Sequence, residues 1–393
     1  MFGKKKPEKS IKESVRIVED DAGMMDMPYL LLTILLVVIG LIMLFSASFA
    51  RAYHETGNSA SNFLSQSVFA AGGIGVMFVF SRFPYDWYRK FALTILGGAL
   101  LLLALVPLIG VSSNGAQRWL SLGFTQFQPS EVAKFAVIIS FAAIMSAHPK
   151  EMKTMKYGFA PYMIILGVIA GLLMLEPHMS ATIIILLLGF ILMAAGGTNW
   201  KFLVGLAVVG VVVVAIYLLT MGYTADRITA WLNPESDPLD DGLQILQSQY
   251  AIGSGGLLGL GFGKSRQKYL YLPEEHNDYI FAIVCEELGF IGAVGILLLF
   301  ALLIIRGFWI AMHARDRFSM LTATGLTTLL AVQVILNVAV VTNLLPATGI
   351  SLPFFSSGGT ALIMQLAESG IVLNISRSIT QSPPRAKKGR AKA

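Results

Sequence analysis

Apolar residues gather along this chain into long, nearly unbroken runs, not into the alternating or one-faced patterns of soluble strands and helices. Windows of the length that a bilayer core demands, about 20 residues per helical span, fall at residues 29–50, 64–82, 91–111, 129–147, 161–176, 180–196, 202–221, 278–305, 319–341 and 359–376. Ten spans put both termini on one side. The first run begins only after a charged leader and lacks a small-residue cleavage site, so it is expected to be retained as a span. The predicted fold is an all-α integral membrane protein of ten transmembrane helices. An N-terminal tail (1–28) and a basic C-terminal tail (377–393) flank a membrane domain over 29–376.

Composition excludes an ordinary soluble domain, because 55% of the 393 residues are hydrophobic, 13% are charged and the mean hydropathy is +0.70. Orientation follows from Lys and Arg, which are retained in cytoplasmic segments. With the N-terminus inside, 22 of the 29 fall in cytoplasmic segments and six face outward: Arg51, Arg118, Arg227, Lys264, Arg266 and Lys268. Both termini are therefore expected in the cytoplasm. The net charge of +6 lies mostly in the tails, and the ending SPPRAKKGRAKA suits anionic lipid headgroups better than nucleic acid. The single Cys285 lies within a span, so disulfides play no part, and the five histidines lack metal-ligand spacing.

The longest outward segment, 222–277 between the seventh and eighth spans, is long enough to be a lid or binding surface and too apolar to be disordered. Within it, QILQSQYAI (244–252) has helical spacing and is expected on the membrane surface or packed over the bundle. The run GSGGLLGLGFGKS (253–265) is not a nucleotide loop: the Walker pattern requires Gly where Leu258 stands, and no strand precedes it. Two readings of its glycines stay open, tight turns pressed against the bundle or a backbone cradle for phosphates.

KYLYLPEEHNDYIFAI (268–283) carries a polar, acidic loop directly into an apolar helical segment, and its last acid is Asp278. Asp278 can serve as a helix N-cap. It can also act chemically, because Ala282, Cys285, Gly289 and Gly292 follow at spacings of 4, 3, 4 and 3 and set a small-residue seam on its face. That face is expected to turn into the bundle, holding a carboxylate where water meets lipid. Glu286 and Glu287 lie about two turns deeper, where a charge costs at least about 2.5–3.5 kcal/mol, so partners or protons are expected there.

Two further polar clusters interrupt the apolar runs. In NGAQRWLSLGFTQFQPSEVAKFAV (114–137), Pro129, Ser130 and Glu131 read as a helix start, with Glu131 paired to Lys134 at i,i+3. Arg118 and Trp119 precede it, a cation beside an interfacial aromatic that suits a lipid diphosphate headgroup. NLLPATGISLPFFSSGGTA (343–361) is rich in Pro, Gly and Ser between two apolar runs. Irregular backbone at membrane depth survives only when buried in protein or lining a wet cavity, so a re-entrant or cavity-lining segment is expected.

GAQRWLSLGFTQFQPSEVAKF, RITAWLNP with its Gly-rich run, SRQKYLYLPEEHNDYIFAIVCEELGFIG and LLPATGISLPFFSSGG resemble, in order, the signatures of the SEDS family, the FtsW/RodA/SpoVE proteins of bacterial wall synthesis. The resemblance covers 29–376 and is nearer to the division and sporulation branch than to the elongation branch. It implies a ten-span fold in the bacterial cytoplasmic membrane and polymerisation of lipid II into glycan strands on its outer face. The partners it implies are a class B penicillin-binding protein, a transpeptidase, together with other divisome or sporulation proteins. The family's loop carboxylate falls on Asp278, its GA-x-RW motif on Arg118 and Trp119, and its P-S-E-x-x-K motif on Pro129 to Lys134. Its last motif falls on Pro346 to Gly359. Residues 176–182, EPHMSAT, depart from the pattern, with His178 and Met179 where many members carry Asp-Leu, and no catalysis is assigned there.

Glycan polymerisation needs a sugar hydroxyl to attack an anomeric carbon that carries a lipid diphosphate. One carboxylate base suffices in principle, because the diphosphate leaves without an acid and needs cationic stabilisation. Asp278 is expected as that base. Substrate contacts are expected from Arg118, Trp119, Arg227, Lys264, Arg266, Lys268, Glu275, His276, Ser356 and Gly358, and support from Glu131, Lys134, Glu286, Glu287, Pro346, Thr348 and Pro353. A divalent cation could share the diphosphate; no nucleotide is needed. Two alternatives remain from the residues: a lipid II flippase using Glu286, Glu287 and Lys134, or a scaffold without activity that recruits wall synthases.

Overall fold

The structure is a computed structural model and describes residues 23–113, 116–121, 123, 126–208, 210, 230–236 and 242–379. The expected tails lie largely outside these residues, as do most of the expected seventh span and Arg227. The longer described helices, in chain order, are α1 (Met27–Thr56), α2 (Ser61–Phe80), α3 (Ala92–Ile109), α4 (Pro129–Ala147), α5 (Ala160–Leu175), α6 (Met179–Ala195), α7 (Leu243–Gly255), α8 (Ile280–Met312), α9 (Arg317–Val341) and α10 (Gly359–Ile379). Seven helical stretches among the described residues are long and apolar enough to cross a membrane: α1 to α4, Met155–Leu175 containing α5, α8 and α9. The chain is a multi-pass membrane protein.

Helices α4 and α9 form the centre, the most buried of the long apolar helices, with α4 against α3, α6 and α9. The bundle is tied at the end where α1 begins. Asp26 caps α1 by accepting from the Tyr29 amide at 3.0 Å, and its carboxylate accepts from Arg306 near the end of α8 at 2.6 Å. Pro129 occupies the first turn of α4 as expected, and Glu131 pairs with a nearly buried Lys134 at 2.7 Å. Two boundaries run past their apolar windows: α1 continues to Thr56 and α8 to Met312. The last turns of α1 carry Arg51, whose partner lies in the loop before α8, so a tertiary ion pair extends the helix beyond the hydrophobic pattern.

The purely helical expectation needs one correction. Between α3 and α4 the chain forms a small antiparallel sheet, β1 (Val111–Ser113), β2 (Ala116–Ser121) and β3 (Gln126–Phe127), in the order β1-β2-β3. Trp119 pairs with Val111 and Leu120 with Phe127. The pairing satisfies backbone groups that a short connection outside the helices cannot satisfy alone, and it buries Leu120 beneath the hairpin.

The small-residue seam on α8 serves a different purpose from close packing of two straight helices. Gly289 adopts φ 67° and ψ −170° inside α8, a conformation open to glycine, and interrupts the helix there. The break frees backbone groups, and the Gly-rich run takes them up. Leu260 and Gly261 amides donate to the Glu286 and Glu287 carbonyls at 2.9 and 3.0 Å, while Phe290 and Ile291 amides donate to Gly256 and Leu257 carbonyls at 2.9 and 3.2 Å. The glycines of 253–265 therefore let one backbone dock against another. Helix α7 leads into this run and packs on α8, and its Ser248 donates to the Val341 carbonyl at the end of α9 at 2.7 Å.

Glu286 and Glu287 find their partners in the same place. Glu287 accepts from Ser46 at 2.7 Å, from the Ser265 amide at 3.2 Å and from Lys268 Nζ at 3.1 Å. Glu286 accepts from the Arg266 amide at 2.9 Å and from the Ser265 hydroxyl. Between α9 and α10, residues 343–358 form no regular element and pass inward. The Phe354 carbonyl lies against Gly40 in the middle of α1, and Leu352, Pro353, Phe354 and Phe355 are buried. The irregular backbone is thus buried in protein at this point.

Candidate active site

Four stretches converge at the end of the bundle opposite Asp26: the loop entering α8, the 343–358 segment, the β hairpin and the turn between α5 and α6. Asp278 lies at their meeting point. It is not the helix cap that its position suggested, because Tyr279 is the N-cap of α8 and no side chain caps that end. Three consecutive carbonyls hold the backbone instead. Ser357 donates its amide to the His276 carbonyl at 2.9 Å, Ser356 its hydroxyl to the Asn277 carbonyl at 2.8 Å, and Asn337 its side-chain amide to the Asp278 carbonyl at 2.7 Å. Asn337 also donates to the Ile350 carbonyl at 2.7 Å, binding α9, the loop and the re-entrant segment together.

This clamp uses no atom of the Asp278 side chain. Its carboxylate lies against Gly349, whose φ of 68° places the backbone in the left-handed region. Burial pushes the Asp278 carboxyl up to about 6, Glu274 adds to the shift, and His276 and Arg118 oppose it. A carboxyl in that range is ionised at neutral pH and is a stronger base than an ordinary aspartate. Gly349→Ala is expected to lower activity roughly tenfold while the protein still accumulates, because an added methyl would meet Asp278 Oδ2 at 3.1 Å and displace that carboxylate. Specific activity per folded molecule checks this.

Arg118 projects from β2 and donates from Nη2 to the Pro177 carbonyl at 2.6 Å, fastening the hairpin to the α5–α6 turn. That turn also carries His178, whose Nε2 lies 3.4 Å from Gln128 Nε2, and Ser180, whose hydroxyl donates to the Thr348 carbonyl. Burial pushes the His178 imidazole down to about 3, with Arg118 and Lys134 adding to the effect, so the ring is neutral at working pH. The other side is braced by Glu275, fully buried, which accepts two hydrogen bonds from Arg51 at 2.8 Å. Burial opposes that charge, yet His276 and the Arg51 guanidinium hold the carboxyl below the usual range.

Of the expected site residues, Asp278, Arg118, His276 and Glu275 come together with Thr348, Ser356 and Gly358. Ser356 is engaged in the clamp, and Gly358 donates its amide to Gln66 Oε1 on α2 at 3.2 Å. Lys264 and Arg266 are exposed along the Gly-rich run. Lys268 is not brought to the site: it is 3% exposed, and its Nζ is bound by Glu287, Ser46 and the Gly263 carbonyl. Among the described residues no cluster of three or more His, Cys, Asp or Glu forms a metal cage. Sequence reasoning passed over Asn337, Arg51 and Glu176. A lone Asn inside an apolar run was the available signal for the first.

These features define a multi-pass helical membrane protein with a clamped acid and an arginine at one mouth of the bundle. A family model described as Cell cycle protein, FtsW/RodA/SpoVE, matches residues 27–381. The chain is 39% identical to the probable peptidoglycan glycosyltransferase FtsW of Geobacter sulfurreducens, over 91% of this chain and 96% of that one. It is equally 39% identical to stage V sporulation protein E of Bacillus subtilis, over 90% and 97%. Among solved structures it is similar to a chain from a peptidoglycan synthase complex coordinating polymerization and crosslinking, with TM-score 0.76, 29% identity and coverage of 91% and 99%. It is also similar to the rod shape determining protein RodA of Thermus thermophilus, with TM-score 0.68, 29% identity and coverage of 90% and 97%. The chain belongs to the FtsW/RodA/SpoVE family.

Proposed function

We propose that this protein is a peptidoglycan glycosyltransferase that polymerises lipid II at the outer face of the bacterial cytoplasmic membrane, in division or sporulation, with Asp278 as general base. The observation that carries the reading is the three-carbonyl clamp, which fixes the backbone of Asp278 and leaves its carboxylate against Gly349 at the mouth of the bundle. Asp278 takes the proton of the acceptor hydroxyl as the sugar oxygen attacks the anomeric carbon. The bond to the lipid diphosphate breaks with its electron pair going to the diphosphate, and Arg118 at the site edge stabilises that charge. A divalent cation could share this stabilisation.

The reading carries with it ten spans, both termini in the cytoplasm and the 222–277 segment outside, arranged beside a class B penicillin-binding protein. Each charge on which a flippase would rely is already engaged, Glu287 with Lys268, Glu286 with the Ser265 hydroxyl and the Arg266 amide, and Lys134 with Glu131. The test is incubation of purified protein with labelled lipid II, with and without the cognate transpeptidase. Glycan polymer is expected; transport of lipid II in vesicles with no polymer under either condition overturns the reading.

A further inference from the structure

Between α5 and α6 the chain buries an acid that neither the fold nor the chemistry above has used. Glu176 is 1% exposed, and among the described residues neither of its carboxylate oxygens has a hydrogen-bond partner. It directly follows the last residue of α5, where the free carbonyl ends of a helix disfavour negative charge. A buried, unbonded acid at a helix C-terminus opposes folding on every count, so its presence calls for another explanation.

The neighbour that supplies one is Arg118. Its guanidinium bonds the carbonyl of Pro177, the residue next to Glu176, and its charge acts on the Glu176 carboxyl. Burial pushes that carboxyl up to about 7, with Arg118 opposing. The other charged and titratable groups at this corner are His178 on the same turn, Lys134 with its partner Glu131 on α4, and Asp278, His276 and Glu274 on the loop entering α8. Arg118 acts on His178 and Asp278 as well, so its charge is shared across the site.

We propose that Glu176 is a positioning residue for Arg118: in its ionised form it competes with a lipid diphosphate for the guanidinium, and in its neutral form it yields the guanidinium to the diphosphate. The inference rests on the glycosyltransferase reading. No covalent bond changes in this step; binding of the diphosphate draws one proton from solvent onto Glu176, and by reciprocity that proton tightens binding. The diphosphate itself, a diester, does not titrate near neutrality, so the pH dependence belongs to the protein.

The test is the KM for lipid II measured from about pH 6.5 to about pH 8.5 with purified wild type and Glu176→Gln. Wild-type KM is expected to rise about tenfold as ionised Glu176 claims Arg118. The variant, neutral throughout, is expected to hold a pH-independent KM, while both keep the acidic fall in kcat that belongs to Asp278. An alkaline rise of equal size in both proteins overturns the proposal. Should the variant not accumulate, wild type alone decides: lipid II binding at about pH 8, followed calorimetrically in buffers of different ionisation enthalpy, is expected to take up a proton, and zero uptake overturns it. Absence of polymer from wild type would instead strike the glycosyltransferase reading, so the two failures are distinguishable.

Discussion

Asp278→Asn is expected to lower lipid II polymerisation by about 10²- to 10⁴-fold, the range that a positioned general base supplies. The variant should fold and bind its partner normally, because the contacts that fix this residue are made by carbonyls of the backbone. Asparagine keeps the shape and removes the basic lone pair. The same account sets the acid limb of the rate. The carboxyl is pushed up to about 6 by burial, and the active form is the ionised one. Falling pH should therefore reduce kcat below about pH 6, by about tenfold per unit once the acid form dominates. Size-exclusion behaviour and partner co-purification separate loss of chemistry from loss of fold.

Lys268→Met carries the largest expected effect on stability. Lys268 and Glu287 are 3% and 0% exposed at their side chains and 3.1 Å apart, and the pair holds the Gly-rich run in the break of α8. Removing the cation leaves a buried, uncompensated carboxylate, which costs about 3–5 kcal/mol. The variant should lose that much resistance to thermal or denaturant unfolding in detergent, and Glu287→Gln in the same chain should recover part of it. A single variant as stable as wild type would contradict the structural role of the pair.

Lys268 also shows where reading the residues alone reaches its limit. Its place in a basic outward loop suggested contact with a diphosphate, because charge along the chain says nothing of which carboxylate lies opposite in space. Glu287 was legible as an acid in need of a partner, but its partner is 19 positions away in the chain. The apolar windows located most of the long helices for a simple reason: a lipid-facing helix is written in consecutive residues. The Gly-rich run was legible as either tight packing or a phosphate cradle, and the helix break at Gly289 that it fills was not legible, since a glycine in a small-residue seam looks the same whether the helix is straight or broken. The sheet over 111–127 escaped notice because its strands are two to six residues long, too short for a period to emerge.

At the site itself, Asp278 stood out as the last acid before an apolar run, and Arg118 as a cation beside an interfacial Trp. The clamp did not. Asn337 reaches from the middle of an apolar stretch 59 positions on, and Ser356 from 79 positions on. Glu176 was passed over because EPHMSAT departs from the family's usual wording; its burial with no hydrogen-bond partner among the described residues is what marks it.

The central claim is that Asp278 is the base of a glycan-polymerising site, and the most direct test is polymer formation from labelled lipid II by purified wild type and Asp278→Asn, side by side with the cognate transpeptidase present. The account predicts glycan strands from wild type and essentially none from an equally folded, partner-bound variant. Polymer at the wild-type rate from Asp278→Asn would contradict it.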